Sequence, residues 1–288
     1  MPKETGLHSA DAEDDFQRAR RREVLSRIGA WLRREPDDVT FVLPFEEVVV
    51  ALGFEGEREL GLRTVPLSAI VGTVDRTRDF DRSFRPRSNR LRGRWKSIDA
   101  AQRRGEPMPP VDLNKVGDLY FVRDGHHRVS VARALGYDVI DSYVTEIRTR
   151  IPPEGISGRR DLLYKSFERI FAQRVPLPPE MAQSVSVNDP WSYAELAENV
   201  EAWGFRLSQH LGRFVDRAEV ARRWFTEEYE PVVAMMREAN LIGRGTDAEA
   251  YIRVARERYR LVRTHEWNED IIARVRGRGQ RRPDRRSG

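Results

Sequence analysis

The amino-acid sequence predicts an α+β protein in which a central α/β domain is flanked by an N-terminal helix and a C-terminal all-helical domain. Three observations support this fold class. Apolar residues recur at helical spacing before residue 36, short β-rich runs alternate with helical segments in the middle of the chain, and helical periodicity alone continues after residue 191. We expect an N-terminal helical extension (1–60), the α/β domain (61–150), a helix with a proline-rich connector (151–191), the helical domain (192–273) and a basic disordered tail (274–288).

Composition excludes several classes of function. The chain has no cysteine, which rules out disulfides, thiol catalysis and thiolate metal sites. Its formal net charge is +5, but seven arginines and one aspartate lie in Arg274–Gly288, so the rest of the chain is nearly neutral. No run approaches the roughly 18 apolar residues of a membrane span, and the acidic N-terminus differs from a signal peptide. We therefore expect a cytoplasmic protein with no membrane partner.

The first elements predicted are a helix and a short strand. Residues 1–14 are polar and are expected to be disordered, and a helix is expected from Asp15 until Pro36. Val39–Leu43 is a candidate strand. Pro44–Gly53 has the proline start and the glycine end of a helix, although its β-branched run argues against one.

The α/β domain is expected to begin with a strand at Thr64–Val71, before the most basic part of the body. Residues 75–104 carry ten arginines and one lysine against four aspartates, and Arg90–Arg104 has helical spacing. Arg90 and Arg94 are our candidate nucleic-acid contacts, because an arginine face can follow a phosphate backbone or line a nucleotide pocket. The alternative is a solvated arginine-rich surface.

The centre of this domain is predicted to be a strand, a tight turn and a helix. The apolar run Leu119–Val122 leads into Gly125, the helix behind it ends at Gly136, and Tyr137–Ile147 supplies the next strand. Val111–Leu113 is a further candidate strand. A turn glycine lets a ligand approach the backbone, and a helix N-terminus offers unpaired N–H groups that suit a phosphate.

Side chains at the same turn are candidate ligands. The phosphate-binding candidates are Gly125, His126, His127 and Arg128. Arg128 is the strongest, because a guanidinium can bind phosphate with two parallel hydrogen bonds. Asp124 can orient a histidine or hold Mg²⁺ through water, and it is equally a turn-forming residue. Asp124, His126 and His127 are the catalytic candidates. The alternative is that Gly125 is simply a turn glycine among solvated side chains.

These residues resemble a known superfamily. Asp124–Arg128, followed by an alanine-rich helix, resembles the Gly-x-x-Arg-x-x-Ala box of the ParB/sulfiredoxin-like superfamily. Thr64–Ile70 resembles the first strand of that domain, and Phe84–Arg87 resembles its proline–arginine loop. The resemblance covers about residues 61–150. It implies the superfamily's fold and a nucleotide, CTP or ATP with Mg²⁺, and it adds Arg87 to the candidate nucleotide-binding residues.

The superfamily includes CTP-binding partition proteins, sulfinic acid reductases and free amino acid kinases. The reductases require a cysteine where this chain has His126, so we exclude that activity. Partition proteins carry a Glu-Asn-x-x-Arg motif, for which Glu146–Arg150 is the nearest string, with isoleucine in place of asparagine. This departure weakens the case for CTP hydrolysis.

We expect a ParB-like nucleotide-binding regulatory or DNA-associated protein, related in kind to chromosome partitioning. One alternative is a small-molecule phosphotransferase resembling the free serine kinases. Another is an interaction protein that keeps the fold without the ligand. Nucleotide and DNA are the partners expected, a homodimer is one of the oligomeric states that remain open, and the sequence leaves open whether the protein is an enzyme.

The C-terminal part is expected to be helical. Ile151–Gly155 breaks the periodicity and is the expected domain boundary, a helix runs through Leu162–Phe171, and the proline-rich Val175–Pro190 excludes regular helix or sheet. Two short helices broken at Gly204 make Tyr193–Phe214 a loose helix-turn-helix candidate.

Two motifs lie further along the chain. Thr246–Glu249 is a capping box that opens a long helix. His265–Glu269 lacks the second histidine of the zinc-protease pattern, so we predict no metal site there.

Overall fold

The structure is a computed structural model that describes residues 5–33 and 42–262, apart from the side chains of Trp31 and residues 259–262. The chain forms two compact units that divide between Ser166 and Phe167. None of the described helices combines the length and the apolar character that crossing a bilayer requires.

Unit 1 is built on one mixed sheet. Its elements are α1 (His8–Leu32), β1 (Leu43–Pro44), α2 (Phe45–Leu52), β2 (Phe54–Pro66), β3 (Ile70–Thr73), α3 (Arg92–Arg103), β4 (Val111–Val116), β5 (Leu119–Asp124), α4 (His126–Leu135) and β6 (Val139–Thr149). The strands are ordered β1-β3-β5-β4-β6-β2. The pairs β1–β3, β3–β5 and β4–β6 are parallel, whereas β4–β5 and β2–β6 are antiparallel. The α+β class predicted from the sequence is confirmed.

Helix α4 is packed on two sides. Val129 and Ala132 are buried in one cluster with Val111 of β4 and Val122 of β5. Val131 belongs to a second cluster that contains residues of α1 and α3. Apolar positions on two faces therefore fix α4 between the sheet and these helices.

Helix α1 is held against α3 by an aromatic contact and by buried ion pairs. The rings of Phe16 and Trp95 meet edge to face with centroids 5.6 Å apart, and both side chains are fully buried. The buried carboxylate of Asp15 accepts a hydrogen bond from Arg103, which also donates to Asp99 at 2.8 Å. Each buried charge therefore has a partner, as burial of ions requires.

Two boundaries predicted for unit 1 are wrong. Helix α1 begins at His8 and not at Asp15, because the Asp11 carboxylate accepts hydrogen bonds from Thr5 and orders the first turn. The strand expected at 64–71 is instead the end of β2, a 3₁₀ turn and the start of β3. β2 was missed over its first ten residues because it is an exposed edge strand, which lacks the apolar alternation of a half-buried strand.

Other predictions for unit 1 are confirmed. The Pro44–Gly53 helix is α2, the Arg90–Arg104 helix is α3, and the Leu119–Val122 strand is β5. The Tyr137–Ile147 strand is β6, although it begins at Val139 and continues to Thr149. Of the candidate strand at 39–43, residues 39–41 lie outside the described part of the chain.

The break at Ile151–Gly155 is a loop of unit 1, and the division by contacts falls further on, inside α5 (Arg159–Arg174). Ile151 is buried, and its N–H donates to the carbonyl of Leu52 at 3.2 Å. The loop is therefore bonded to α2, so the loss of periodicity does not end the unit.

The described part of unit 2 is helical. After the end of α5 it contains α6 (Pro179–Ala182), α7 (Ser192–Leu211), α8 (Arg217–Trp224), a π-helical turn (Phe225–Tyr229), α9 (Glu230–Glu238) and α10 (Asp247–Val262). The capping box is confirmed, since the hydroxyl of Thr246 accepts from the N–H of Glu249 at 3.2 Å and the Glu249 carboxylate accepts from the N–H of Thr246 at 3.1 Å. His265–Glu269 and the tail Arg274–Gly288 lie outside the described residues.

Two predictions for unit 2 are wrong. Helix α7 continues through Gly204, so the predicted break into two short helices is absent, and the loose helix-turn-helix candidate Tyr193–Phe214 does not form. Gly204 is buried, and a Cβ there would lie 2.5 Å from Cγ1 of Val220 on α8. The glycine therefore permits close helix packing and does not break the helix. The connector 175–190, expected to be irregular, contains the one-turn helix α6. This helix begins at Pro179, and proline is common at the first position of a helix.

The Gly204 contact gives a stability prediction. We expect Gly204→Ala to lower the free energy of unfolding by about 1–3 kcal/mol, the usual range for an overpacked core. Gly93→Ala is the matched control, because no atom lies within 4 Å of its added Cβ, and it should be neutral or stabilising. Urea unfolding of both variants measures the difference. Equal effects of the two substitutions would contradict the packing role of Gly204.

Candidate phosphate-binding site at the N-terminus of helix α4

The site begins with the backbone at the turn from β5 into α4. Gly125 has a φ of 94°, a left-handed conformation that favours glycine, and a Cβ there would lie 2.5 Å from Cγ1 of Val111. Its carbonyl accepts from the N–H of Val129 at 3.0 Å, which starts the helix. The N–H groups of residues 126–128 have no hydrogen-bond partner among the described residues. We call this group of three N–H donors the α4 tip, and the helix dipole gives it a partial positive charge.

His126 is buried at the α4 tip. Its Nε2 lies 2.6 Å from the hydroxyl of Thr73 and 3.5 Å from the carboxylate of Asp75, and its ring stacks on Phe80 with centroids 6.2 Å apart. Burial lowers the pKa of His126 to about 4. The imidazole is therefore neutral at pH 7, and its Nε2 is already engaged within the protein.

His127 is also buried, but one of its ring nitrogens lacks a partner. Its ring edge packs against Phe80 with centroids 5.5 Å apart, and its Nδ1 is buried with no hydrogen-bond partner in the described part of the chain. Burial is the main cause that lowers the pKa of His127 to about 4, and the charges of Arg94 and Arg76 act in the same direction. A buried polar atom without a partner is costly, so Nδ1 is the atom at the α4 tip that most requires a bond from a further molecule.

Arg128 is already bonded within unit 1. Its Nη2 donates to Oδ2 of Asp124 at 2.7 Å, and its Nη1 donates to the carbonyls of Pro109 at 2.6 Å and Pro110 at 2.7 Å. The side chain of Arg128 is 15% exposed, whereas that of Asp124 is 67% exposed. Arg128 therefore fixes α4 to the segment before β4 and holds Asp124 in place. These bonds use three of the five N–H donors of the guanidinium, so Nε and one hydrogen of Nη2 have no partner among the described residues.

The other predicted arginines are in different environments. Arg87 lies with its Nε 3.6 Å from the carboxylate of Glu23 on α1, and its side chain is 15% exposed. Arg90 bonds to the hydroxyl of Ser88 at the start of the helical segment. Arg94 is exposed, has no partner among the described residues, and is close enough to act on the pKa of His127. The structure therefore brings Arg94 to the α4 tip and pairs Arg87 with α1.

The sequence did not reveal three residues of this site. Thr73 is the last residue of β3, and Asp75 follows it two residues later. The parallel pairing of β3 with β5, in which Thr73 lies opposite Val122, brings both beside His126. Such pairing has no sequence signal. The ring of Phe80 contacts both histidines. The only sequence signal for this contact was an aromatic residue within a highly charged segment, which indicates that the segment packs against the rest of the domain.

Metal ligands are few at the α4 tip. No group of three or more His, Asp or Glu side chains in the described residues is arranged to hold a metal ion. Mg²⁺ in nucleotide sites often uses only one or two carboxylates with phosphate oxygens and water, and the exposed Asp75 and Asp124 are the carboxylates here that fit that pattern. Glu146 pairs with Lys115 at 3.3 Å and Arg58 at 2.8 Å on the sheet.

Comparison of the chain with protein-family models, with curated proteins and with solved structures gave no match. The resemblance to the ParB/sulfiredoxin-like superfamily therefore rests on the motif residues quoted above.

The two histidines give a pH prediction. Their folded pKa values of about 4 lie below the ordinary 6.5, so the unfolded chain binds more protons between these values. The free energy of unfolding should therefore fall as the pH drops from 6.5 towards 4. We expect urea unfolding at pH 5.5 to show lower stability than at pH 7.5, and His127→Asn to reduce the difference.

His210→Asn is the matched control for this measurement, because His210 is exposed on α7. It should leave the difference between the two pH values unchanged. If His127→Asn also leaves the stability difference between pH 7.5 and pH 5.5 unchanged, that result would contradict the buried, neutral state of His127.

Proposed function

We propose that the α4 tip binds the phosphate groups of a nucleotide, CTP or ATP, and that the protein is a ParB-like regulatory or DNA-associated protein. The observation that carries this proposal is that three N–H groups and the buried Nδ1 of His127, all without partners in the described residues, meet at one helix N-terminus. A phosphate oxygen would accept from these N–H groups and from Nδ1 in the tautomer that carries its hydrogen there.

Nearby charges support an anionic ligand. Arg94 is exposed and near His127, and Arg76 also acts on both histidines, although Arg76 lies 3.4 Å from Asp79. Neutral histidines add hydrogen-bonding capacity without adding charge. The Gly-x-x-Arg box of the superfamily lies at the same turn, which is a second, independent reason for the proposal.

In this proposal Arg128 is a positioning residue. Its bonds to Pro109, Pro110 and Asp124 fix the first turn of α4. The N–H donors of the α4 tip therefore keep a constant orientation relative to the sheet. The nucleotide, when bound with Mg²⁺, would supply the phosphate charge and the metal, and Asp75 and Asp124 would orient the water around that metal.

A small-molecule phosphotransferase is a second candidate, and the Nδ1 of His127, which has no partner among the described residues, favours it. An imidazole that is neutral at pH 7 can accept the proton of an acceptor hydroxyl. Analysis of products after incubation with ATP and free serine distinguishes the two, since a regulatory protein would release no phosphoserine.

Calorimetry with CTP, ATP and ADP tests the nucleotide site. We expect wild-type protein to bind at least one of them, and Arg94→Ala to weaken binding by about tenfold, the effect of losing one charge-assisted hydrogen bond. Arg128→Ala should weaken binding and also lower the melting temperature, because it removes three internal hydrogen bonds.

Arg104→Ala is the control for charge, since Arg104 is an exposed residue at the other end of α3 that pairs with Glu106. It should leave nucleotide affinity unchanged. Absence of binding in wild type, or equal weakening by Arg94→Ala and Arg104→Ala, would contradict the proposed site.

A gel shift with duplex DNA tests the DNA association. Deleting Arg274–Gly288 should weaken binding and reduce its salt dependence, because each lost phosphate contact lowers the log–log slope by about 0.9. Arg90→Ala in the shortened chain should weaken the remaining binding further. Complete loss of binding on deletion alone would place all DNA affinity in the tail and contradict a role for Arg90 and Arg94 in DNA contact.

A further inference from the structure

Unit 1 has a cavity towards the C-terminal end of α4. This cavity has a volume of about 670 Å³ and is lined by residues of α1, the turn after β2, the loop before α3 and α4. It adjoins a cavity of about 440 Å³ with which it shares Ser68, Ser83, Arg85 and Arg133. We call the larger cavity the α1 groove. Residues 125–128 line neither cavity, so the α1 groove is separate from the α4 tip.

Positive charge exceeds negative charge in the α1 groove. Its charged lining residues are Arg18, Arg22, Arg85, Arg133, Asp15 and Asp138. The excess is two positive charges, and guanidinium groups do not lose their proton in proteins. A phosphate monoester carries about −1.5 to −2 charges at pH 7, which matches this excess.

The charge of Arg133 is not neutralised by a carboxylate in contact with it. Its Nη2 donates to the carbonyl of Ile70 at 2.6 Å and to that of Leu67, and its guanidinium lies 5.0 Å from the ring centre of Phe84. Burial lowers the pKa of Arg133, and the charge of Asp81 opposes this shift. Carbonyl groups fix the guanidinium in place and leave it charged, so it contributes a permanent positive potential to the groove.

Two other arginines keep donors available. The guanidinium of Arg22 is exposed and has no partner among the described residues. Arg85 donates from Nε to Asp81 at 2.7 Å and from Nη1 to the carbonyl of Arg22 at 3.0 Å. Its Nη2 has no partner within the described part of unit 1. Both arginines can therefore bind an anion without losing an internal bond.

A buried hydroxyl in the α1 groove also lacks an acceptor. Ser130 is 3% exposed, and its Oγ accepts from the indole N–H of Trp95 at 2.8 Å. The hydrogen of this hydroxyl has no acceptor among the described residues. Since buried hydroxyls normally donate as well as accept, an oxygen of a bound molecule would satisfy Ser130.

We propose that the α1 groove binds a small phosphate-bearing anion, held by the guanidinium groups of Arg22 and Arg85 and by the hydroxyl of Ser130. Arg133 supplies a fixed positive potential behind these groups. Asp138 is an exposed carboxylate in the same lining and opposes the anion. The proposal does not depend on nucleotide binding at the α4 tip, because no residue is shared between the two sites.

Trp95 provides a reporter for this site, because its indole N–H bonds directly to Ser130. We expect titration with inorganic pyrophosphate, followed by ¹H–¹⁵N NMR, to shift the Trp95 indole resonance to saturation, with the resonance assigned from Trp95→Phe. Arg22→Ala should weaken the apparent affinity by about tenfold, the loss of one charge-assisted hydrogen bond. Asp138→Asn should strengthen it.

Arg21→Ala is the matched control, since Arg21 is exposed on the same helix, carries the same charge and lies outside the groove lining. It should leave the affinity unchanged. The proposal is overturned by the absence of a saturable shift, or by equal weakening in Arg21→Ala and Arg22→Ala. It is also overturned if Arg94→Ala, and not Arg22→Ala, weakens the response, because the anion would then lie at the α4 tip.

Discussion

A left-handed backbone at Gly125 allows β5 to run directly into α4, and a side chain at this position would collide with Val111 on the neighbouring strand. This steric constraint sets the direction of α4 relative to the sheet. Arg128 strengthens the same junction by bonding to the segment that leads into β4. The direction of the helix in turn decides where its N–H donors lie and which side chains reach the sheet and α1.

Helix α4 connects the two candidate binding regions of unit 1. Its N-terminal turn contains two buried neutral histidines and three N–H donors, and its C-terminal half contributes Ser130 and Arg133 to the α1 groove. Each region has one buried polar group that is not fully bonded among the described residues, namely Nδ1 of His127 and the hydroxyl hydrogen of Ser130. Buried polar groups normally have their hydrogen-bond partners, which supports the proposal that each region binds an anion.

The sequence predicted α4 well, because its signals are local. Gly125 lies at the predicted turn and Gly136 ends the helix in the left-handed conformation usual at a helix C-terminus, and apolar spacing indicated the helix between them. The partners of the site residues were not predictable in this way. Arg128 bonds to Pro109 and Pro110 through the pairing of β4 with β5, and His126 meets Thr73 through the pairing of β3 with β5, so both contacts depend on sheet register. The prediction at Gly204 was wrong because a glycine can either end a helix or allow a neighbouring helix to pack closely, and the sequence does not distinguish these two roles.

The central claim is that the N–H donors of the α4 tip are available to a phosphate, and backbone amide NMR tests it most directly. With CTP or ATP added to saturation, the amide resonances of residues 126–128 should show the largest shifts in unit 1. Unchanged resonances for these three amides at saturating nucleotide, with or without shifts elsewhere, would contradict the account.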